Sequence, residues 1–260
     1  MSILNEIIQY KKQEIANAAK RIPLDGLKRG TRQFPLLKFA EALAQPGLQV
    51  IAEIKRKSPS SGNIRLMADP VAIAKDYEQN GAAAISVLTD KKYFAGSLEF
   101  LQDIKASVSI PVLRKDFIIS EYQLFESYVA GADAILLIAD VLDAATLKHL
   151  YQKATELGLA VLMEVHSRQS LKIVLALNPE IVGVNTRDLT TMEINLNHCQ
   201  EMFSDLPPSS LKVAESGIQT VDDLKFVANI GYDAALIGTA LMKSGAPGET
   251  LNSFLKEVQA

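Results

Sequence analysis

The chain has 260 residues, 48% of them hydrophobic, and a net charge of −3. This is enough for one large core, and it gives no footing for a nucleic-acid protein, which would usually be basic. The single cysteine, Cys199, excludes a disulfide framework within the chain and suits a reducing cytosol, and no apolar run is long enough to span a bilayer.

The first predicted element is the amphipathic helix "MSILNEIIQYKKQEIANAAKR", with Ile3, Leu4, Ile7, Ile8 and Ile15 at roughly helical spacing. It lacks the basic n-region and apolar h-region of a signal peptide. It is read as part of a helical extension over residues 1–45, ahead of a main unit over 46–260, the whole forming one domain. A strand follows in "LQVIAEI", Leu48 to Ile54. Strand side chains alternate, so Ile51, Glu53 and Lys55 share one side while Ala52 and Ile54 take the other. A Ser/Pro/Gly loop, "SPSSG", comes next.

Three later segments repeat a pattern: "NGAAAISVL" from Asn80, "AGADAILLI" from Ala130 and "IGYDAALIG" from Ile230. In each, a glycine ends a helical stretch, as a left-handed cap does, and a short apolar strand follows. Gly81, Gly131 and Gly231 are 50 and then 100 residues apart. Two strands fall in the first interval and four in the second, so one strand–helix unit takes about 25 residues. The strands are "AAAISVL", "IPVLRKD", "DAILLIAD", "LAVLMEVH", "IVGVN", "LKVAESG" and "AALIG". With "LQVIAEI" they number eight. Helical patterns fill the gaps over Pro70–Asn80, Ser97–Ala106, Glu121–Ala130, Asp143–Leu157, Ser167–Leu177, Leu196–Phe203, Val221–Asn229 and Gly248–Val258. Apolar strands alternating with helices mean a parallel sheet covered by helices. Eight units in this length predict an α/β fold, a closed (β/α)8 TIM barrel with an extra N-terminal helical segment. An open doubly wound sheet is the alternative.

Such barrels work at the carboxyl ends of their strands. The first strand ends with Glu53 and Lys55, the third with Lys115 and Asp116. The fifth carries Glu164 and His166, the sixth Asn185 and Arg187, and the seventh Glu215, Ser216 and Gly217. Charges in apolar strand surroundings are costly unless paired. Ion pairs at the rim could explain one of them; three glutamates and two lysines at these strand ends point to acid–base chemistry. The seventh and eighth strand ends, "ESGI" and "IGTALM", bring small residues and hydroxyls where barrels often bind phosphate. There is no GxGxxG and no P-loop, and His149, His166 and His198 show no ligand spacing, so no cofactor and no metal are expected. His166 reads as a rim residue and Cys199 as a helix residue without chemical role.

Together these pieces resemble the indole-3-glycerol phosphate synthase family over nearly the whole chain. The resemblance rests on "AEIKRKSPSSGNI", "VLRKDFIIS", "LMEVHS", "VGVNTRDL", "VAESGI" and "LIGTALM", in family order and spacing. It implies a decarboxylating and dehydrating ring closure, in tryptophan biosynthesis, of 1-(2-carboxyphenylamino)-1-deoxyribulose 5-phosphate to indole-3-glycerol phosphate, CO2 and water, without cofactor. It implies Lys115 as the general acid and Glu164 as its acid/base partner, with Lys55 facing the substrate carboxylate. Glu53, Asn185 and Glu215 would orient these groups, with Arg187 supporting Glu53 or the substrate. Ser58, Ser216, Gly217, Gly238 and Thr239 would hold the phosphate. Pro59, Phe94, Phe117, Leu136 and Leu189 would line the ring pocket. Thr186 stands where many relatives have asparagine, Thr239 where serine or glutamate is common, and the first helix lacks an aromatic that some relatives bring to the ring pocket.

The remaining expectations are a cytoplasmic monomer acting on a small phosphorylated molecule, with room for transient contact with other tryptophan-pathway enzymes. The alternatives are another phosphate-binding barrel enzyme, either phosphoribosylanthranilate isomerase-like or a Schiff-base aldolase, and a non-catalytic barrel for a phosphate ligand.

Overall fold

The computed structural model describes residues 3–188 and 191–259. Three helices lead, α1 (Ile3–Arg21), α2 (Leu24–Arg29) and α3 (Phe39–Leu43), where the apolar spacing predicts one. Strand β1 (Gln49–Ile54) follows, and the Ser/Pro/Gly loop behind it folds into a small antiparallel ladder of β2 (Lys57–Ser58) and β3 (Gly62–Asn63). Next come α4 (Pro70–Gln79), β4 (Ala84–Leu88), α5 (Lys91–Phe94), α6 (Leu98–Lys105), β5 (Val112–Lys115), α7 (Glu121–Ala130) and β6 (Ala134–Ile138). Then come α8 (Ala144–Glu156), β7 (Ala160–Val165), α9 (Arg168–Leu175), β8 (Ile181–Asn185) and α10 (Asn197–Phe203). The chain ends with β9 (Leu211–Glu215), α11 (Val221–Ile230), β10 (Ala234–Ile237), α12 (Thr239–Lys243) and α13 (Pro247–Gln259).

The eight predicted strands are β1 and β4 to β10. They pair in parallel in the order β1-β10-β9-β8-β7-β6-β5-β4, and β4 returns to β1 to close the barrel. A closed sheet has no edge, so every strand finds partners on both sides. Local signals set the helix ends. Asp69, Ser120 and Asp143 cap α4, α7 and α8 by accepting from backbone N–H groups, and Ser167 and Thr220 form capping boxes on α9 and α11. Gly131 and Gly231 end α7 and α11 with φ of 97° and 108°, a conformation that favours glycine.

Alternation along each strand divides the apolar side chains into two cores. Ile51, Leu113, Leu136, Leu162, Val213 and Leu236 fill the barrel interior. Ala52, Ile54, Ile135, Met163, Val182 and Ile237 face the helix layer. Phe39 and Leu43 of α3 join the interior cluster and are completely enclosed, so the short helix ahead of β1 plugs one end of the barrel. Among the described residues, no helix is long and apolar enough to cross a membrane.

Helix α1 is fixed by charge as well as by Ile7. Lys11, only 2% exposed, bonds Glu14 of its own helix and reaches Asp90 at 3.0 Å and Asp116 at 2.9 Å. Asp116 also receives Arg114 at 3.1 Å and the Thr89 hydroxyl at 2.6 Å. Burial opposes the charge on Asp116, but Lys11 and Arg114 outweigh it and hold the carboxyl at about 2. Asp116 ends the third predicted strand beside Lys115, and its carboxyl is taken up by Lys11 and Arg114.

Candidate active site

Strand register gathers the ionisable groups. Lys115 pairs with Leu88, Glu164 with Ile138, and Asn185 with Glu215, so the polar groups end their strands at one mouth. Period-two alternation turns Glu53 to the same side as Ile51, into the barrel, as the sequence predicts. Glu53, Glu164 and Glu215 are all at most 2% exposed, so each needs a partner.

The partners are present. Lys55 Nζ lies 2.6 Å from Oε1 of Glu53. Lys115 Nζ lies 3.2 Å from Oε2 of Glu164 and 3.7 Å from Oε2 of Glu215. Asn185 Oδ1 accepts from the backbone N–H of Arg187 at 3.0 Å, which holds the turn after β8. Arg187 Nη1 donates to the Met192 carbonyl at 3.1 Å, and its charge lies within the field of Glu53.

Two buried carboxyls beside one ammonium divide their protonation states. Burial would raise Glu164, but Lys115 and then His166 outweigh it and hold it at about 2. Glu215 goes the other way: burial and then the charge of Glu164 push it well above the carboxylate range. Glu215 is thereby held neutral beside an ionised Glu164. Burial also works against the charge of Lys115, and Glu164, Glu215 and Glu53 together overcome it, so its pKa is raised and the ammonium form persists.

The mouth has two chemical walls. A cavity of about 900 Å³ has Lys115 and Glu164 beside an apolar wall of Pro59, Phe94, Phe117 and Leu136. The Phe94 and Phe117 rings meet with centroids 6.2 Å apart. A more polar cavity of about 720 Å³ shares Glu53, Lys55, Lys115, Arg187 and Ser216 with it, and adds Gly217, Gly238, Thr239 and Lys243. Ser58 lines the first cavity, whereas Ser61 of the same loop lines the second. Leu189 lies outside the described residues.

Other wall residues escape a reading by strand ends. Ile3, Leu4 and Ile7 roof the first cavity from α1. Their only sequence signal is the apolar stripe of the first helix, which reads equally as core. Gly183, inside "VGVN", is a further omission: a Cβ there would lie 2.1 Å from Oε1 of Glu215.

A family model described as indole-3-glycerol phosphate synthase matches residues 4–254. The chain belongs to the indole-3-glycerol phosphate synthase family. The protein of that name from Geobacillus thermodenitrificans is 46% identical over 244 residues, covering 93% of this chain and 92% of the relative. The one from Rhodopirellula baltica is 43% identical, covering 94% and 95%. The one from a Geobacillus species, strain WCH70, is 44% identical and covers 99% and 98%. Among solved structures, a thiamine phosphate pyrophosphorylase from Pyrococcus furiosus superposes with a TM-score of 0.62 at 15% identity, over 82% of this chain and 96% of that one, a likeness of fold alone.

The family's motif positions thus stand around one mouth. The other singled-out groups do not join it as reactants. Cys199 is fully enclosed on α10, and burial pushes its thiol up to about 12, so it offers no thiolate. His149 is exposed and faces Glu121. His166 faces Glu164 from behind, with Nε2 at 3.3 Å from Oε1. Among the described residues, no group of three or more His, Cys, Asp or Glu side chains is arranged to hold a metal ion.

Proposed function

We propose that Lys115, Glu164 and Lys55 carry out the ring closure of 1-(2-carboxyphenylamino)-1-deoxyribulose 5-phosphate to indole-3-glycerol phosphate, with loss of CO2 and water. One observation carries this reading. A lysine held as an ammonium between two carboxyls stands where an apolar wall meets a polar one. The substrate has the same two ends, an aromatic ring and a phosphate.

The steps follow from position. The aromatic ring packs on Phe94, Phe117 and Leu136, and the phosphate occupies the side with Ser216, Gly217, Gly238 and Thr239. Anchoring both ends brings the ring carbon onto the ketone carbon, a gain in effective concentration. As the bond forms, Lys115 gives a proton to the ketone oxygen. Its raised pKa is no obstacle, because the developing alkoxide is strongly basic. Lys55 holds the substrate carboxylate out of the ring plane, and CO2 leaves as the ring regains aromaticity. The hydroxyl then departs as water with acid–base help from Glu164. Glu53 orients Lys55, Glu215 orients Glu164 and Lys115, and Asn185 and Arg187 hold the rim.

The geometry disfavours the alternatives. A Schiff-base aldolase needs a neutral amine, and Lys115 is kept charged. An isomerase of the Cys/Asp kind needs a thiolate, and Cys199 is sealed in a helix. The protein in this reading is a cytoplasmic monomer, with other tryptophan-pathway enzymes as transient contacts and residues 1–45 as an extension of a single barrel domain.

The test is direct. Purified protein is incubated with the carboxyphenylamino-deoxyribulose phosphate and EDTA, and indole fluorescence is followed. Growth of the signal supports the reading; no signal from folded protein overturns it.

A further inference from the structure

We infer that His166 and Asp140 form a proton relay that links the buried acid–base cluster to solvent through Glu164. The inference rests on the ring-closure reading above, whose proton count calls for such a path. Written with an anionic substrate carboxylate, the reaction puts one proton on the ketone oxygen and one on the departing hydroxyl. It recovers one from the ring carbon next to nitrogen. Each turnover therefore consumes one proton from solvent, while the groups that deliver it are enclosed: Lys115, Glu164 and Glu215 have side chains 15%, 2% and 1% exposed.

Glu164 has a titratable neighbour that leads outward along the chain's own side chains, His166. Glu164 offers Oε2 to Lys115 at 3.2 Å and Oε1 to His166 Nε2 at 3.3 Å. That nitrogen is buried and has no other hydrogen-bond partner, and Oε1 of Glu164 is the acceptor within its reach. On the other side of the ring, Nδ1 lies 3.1 Å from Oδ2 of Asp140, which also accepts from the backbone N–H of His166 at 3.1 Å. Asp140, in the turn after β6, is 24% exposed at its side chain. The sequence of groups from solvent inward is thus Asp140, His166, Glu164 and Lys115. The other polar groups against His166 leave its ring alone: Ser170 Oγ accepts from its backbone N–H, and Nε2 of His198 on α10 bonds its carbonyl oxygen.

The step balances. In the protonated ring, the Nε2–H bond breaks, its electron pair stays on nitrogen, and an O–H bond forms on Oε1 of Glu164. The ring is left neutral with its Nδ1–H on Asp140, and solvent replaces the lost proton. His166 acts through Glu164 and does not touch the substrate, so it is a positioning and relay residue.

The experiment compares wild type, His166→Gln and His166→Ala. Glutamine can offer an N–H near the place of Nε2 but cannot pass a proton on. Both variants are expected to lose about tenfold or more in kcat with KM within about twofold of wild type, the split for a group that serves the chemical step alone. Added imidazole should restore part of the loss in His166→Ala. A His166→Gln variant with wild-type kcat would overturn the relay, and so would a loss in His166→Ala that imidazole leaves untouched. Should these variants fail to fold, Asp140→Asn carries the test: a lowered kcat supports the relay and an unchanged one overturns it. Absence of turnover in folded wild type would instead remove the ring-closure reading, and the relay with it; turnover in wild type separates the two.

Discussion

Glu215 occupies the room that Gly183 leaves: the neighbouring strand has no Cβ where Oε1 of Glu215 lies, and one placed there would be 2.1 Å away. The atom in the way ends a flexible side chain, so Gly183→Ala moves the carboxyl and leaves the backbone alone. Glu215 is the neutral partner of Glu164, and shifting it disturbs the acid–base cluster. We expect kcat to fall about tenfold or more while the melting temperature moves only a few degrees, the mark of a misplaced group and not of a broken fold. Steady-state kinetics with a thermal melt on the same sample would decide it; unchanged kcat would detach Glu215 from the reaction.

Lys115→Ala removes the proposed acid. A positioned proton donor is worth about a hundredfold to ten-thousandfold. Turnover should therefore drop by at least that lower figure, while a phosphate-bearing product analogue still binds with nearly the wild-type Kd, because the anchoring groups are elsewhere. Isothermal titration alongside the fluorescence assay separates the two; near-normal turnover would refute the assignment.

Ser216 stands at φ 67° beside Gly217 at φ 82°, on the polar side of the mouth. Aspartate tolerates this left-handed backbone, so Ser216→Asp adds a charge without forcing the loop. Repulsion between that carboxylate and the phosphate should raise KM about tenfold or more, the equivalent of about 1.4 kcal/mol. Added salt should soften the effect by screening. A KM equal to wild type would place the phosphate elsewhere.

The Lys11–Asp116 pair gives a prediction in acid. Asp116 is held at about 2 in the folded protein, and its unfolded value is about 3.9. A depressed folded pKa stabilises the native state above the unfolded value, and that contribution fades as pH falls through about 4 toward 2. At most about 2.5 kcal/mol is at stake. Lys11→Ala takes from Asp90 the cation it faces and leaves Asp116 with Arg114, at a cost of about 3–5 kcal/mol at neutral pH. The variant should melt roughly 10 °C lower and respond less to acid between about pH 4 and 2. Melting curves across pH for both proteins test this; coincident curves would show that the pair contributes nothing.

Much of this molecule is legible in its sequence. The glycines at 81, 131 and 231 announce the repeat because each needs a positive φ, 94°, 97° and 108°. The strands announce themselves as apolar runs, and Glu53, Lys55, Lys115 and Glu164 stand out against that apolar background. What is not legible depends on contacts between distant segments. The small ladder at Lys57–Ser58 and Gly62–Asn63 follows from loop closure, and the short helix Phe39–Leu43 from the hole it fills. Lys11 left a trace: it lies four residues from both Ile7 and Ile15, inside the apolar stripe of the first helix. A charge in that stripe signals a buried partner, but only the folded barrel says that the partners are Asp90 and Asp116. Gly183 reads as a pause in a strand until the neighbouring carboxyl is seen.

Strand β5 faces two ways at its end. Lys115 points into the mouth, while Arg114 and Asp116 on either side hold the first helix through Lys11. That helix also roofs the ring pocket with Ile3, Leu4 and Ile7. Its release would therefore strip a wall from the pocket and loosen the strand end that carries the acid, with the eight-stranded ladder still whole. Inactivation would then precede melting. A heated sample would stop turning over substrate while its circular dichroism still reported a folded barrel, and on cooling, activity would return as fast as one helix can redock.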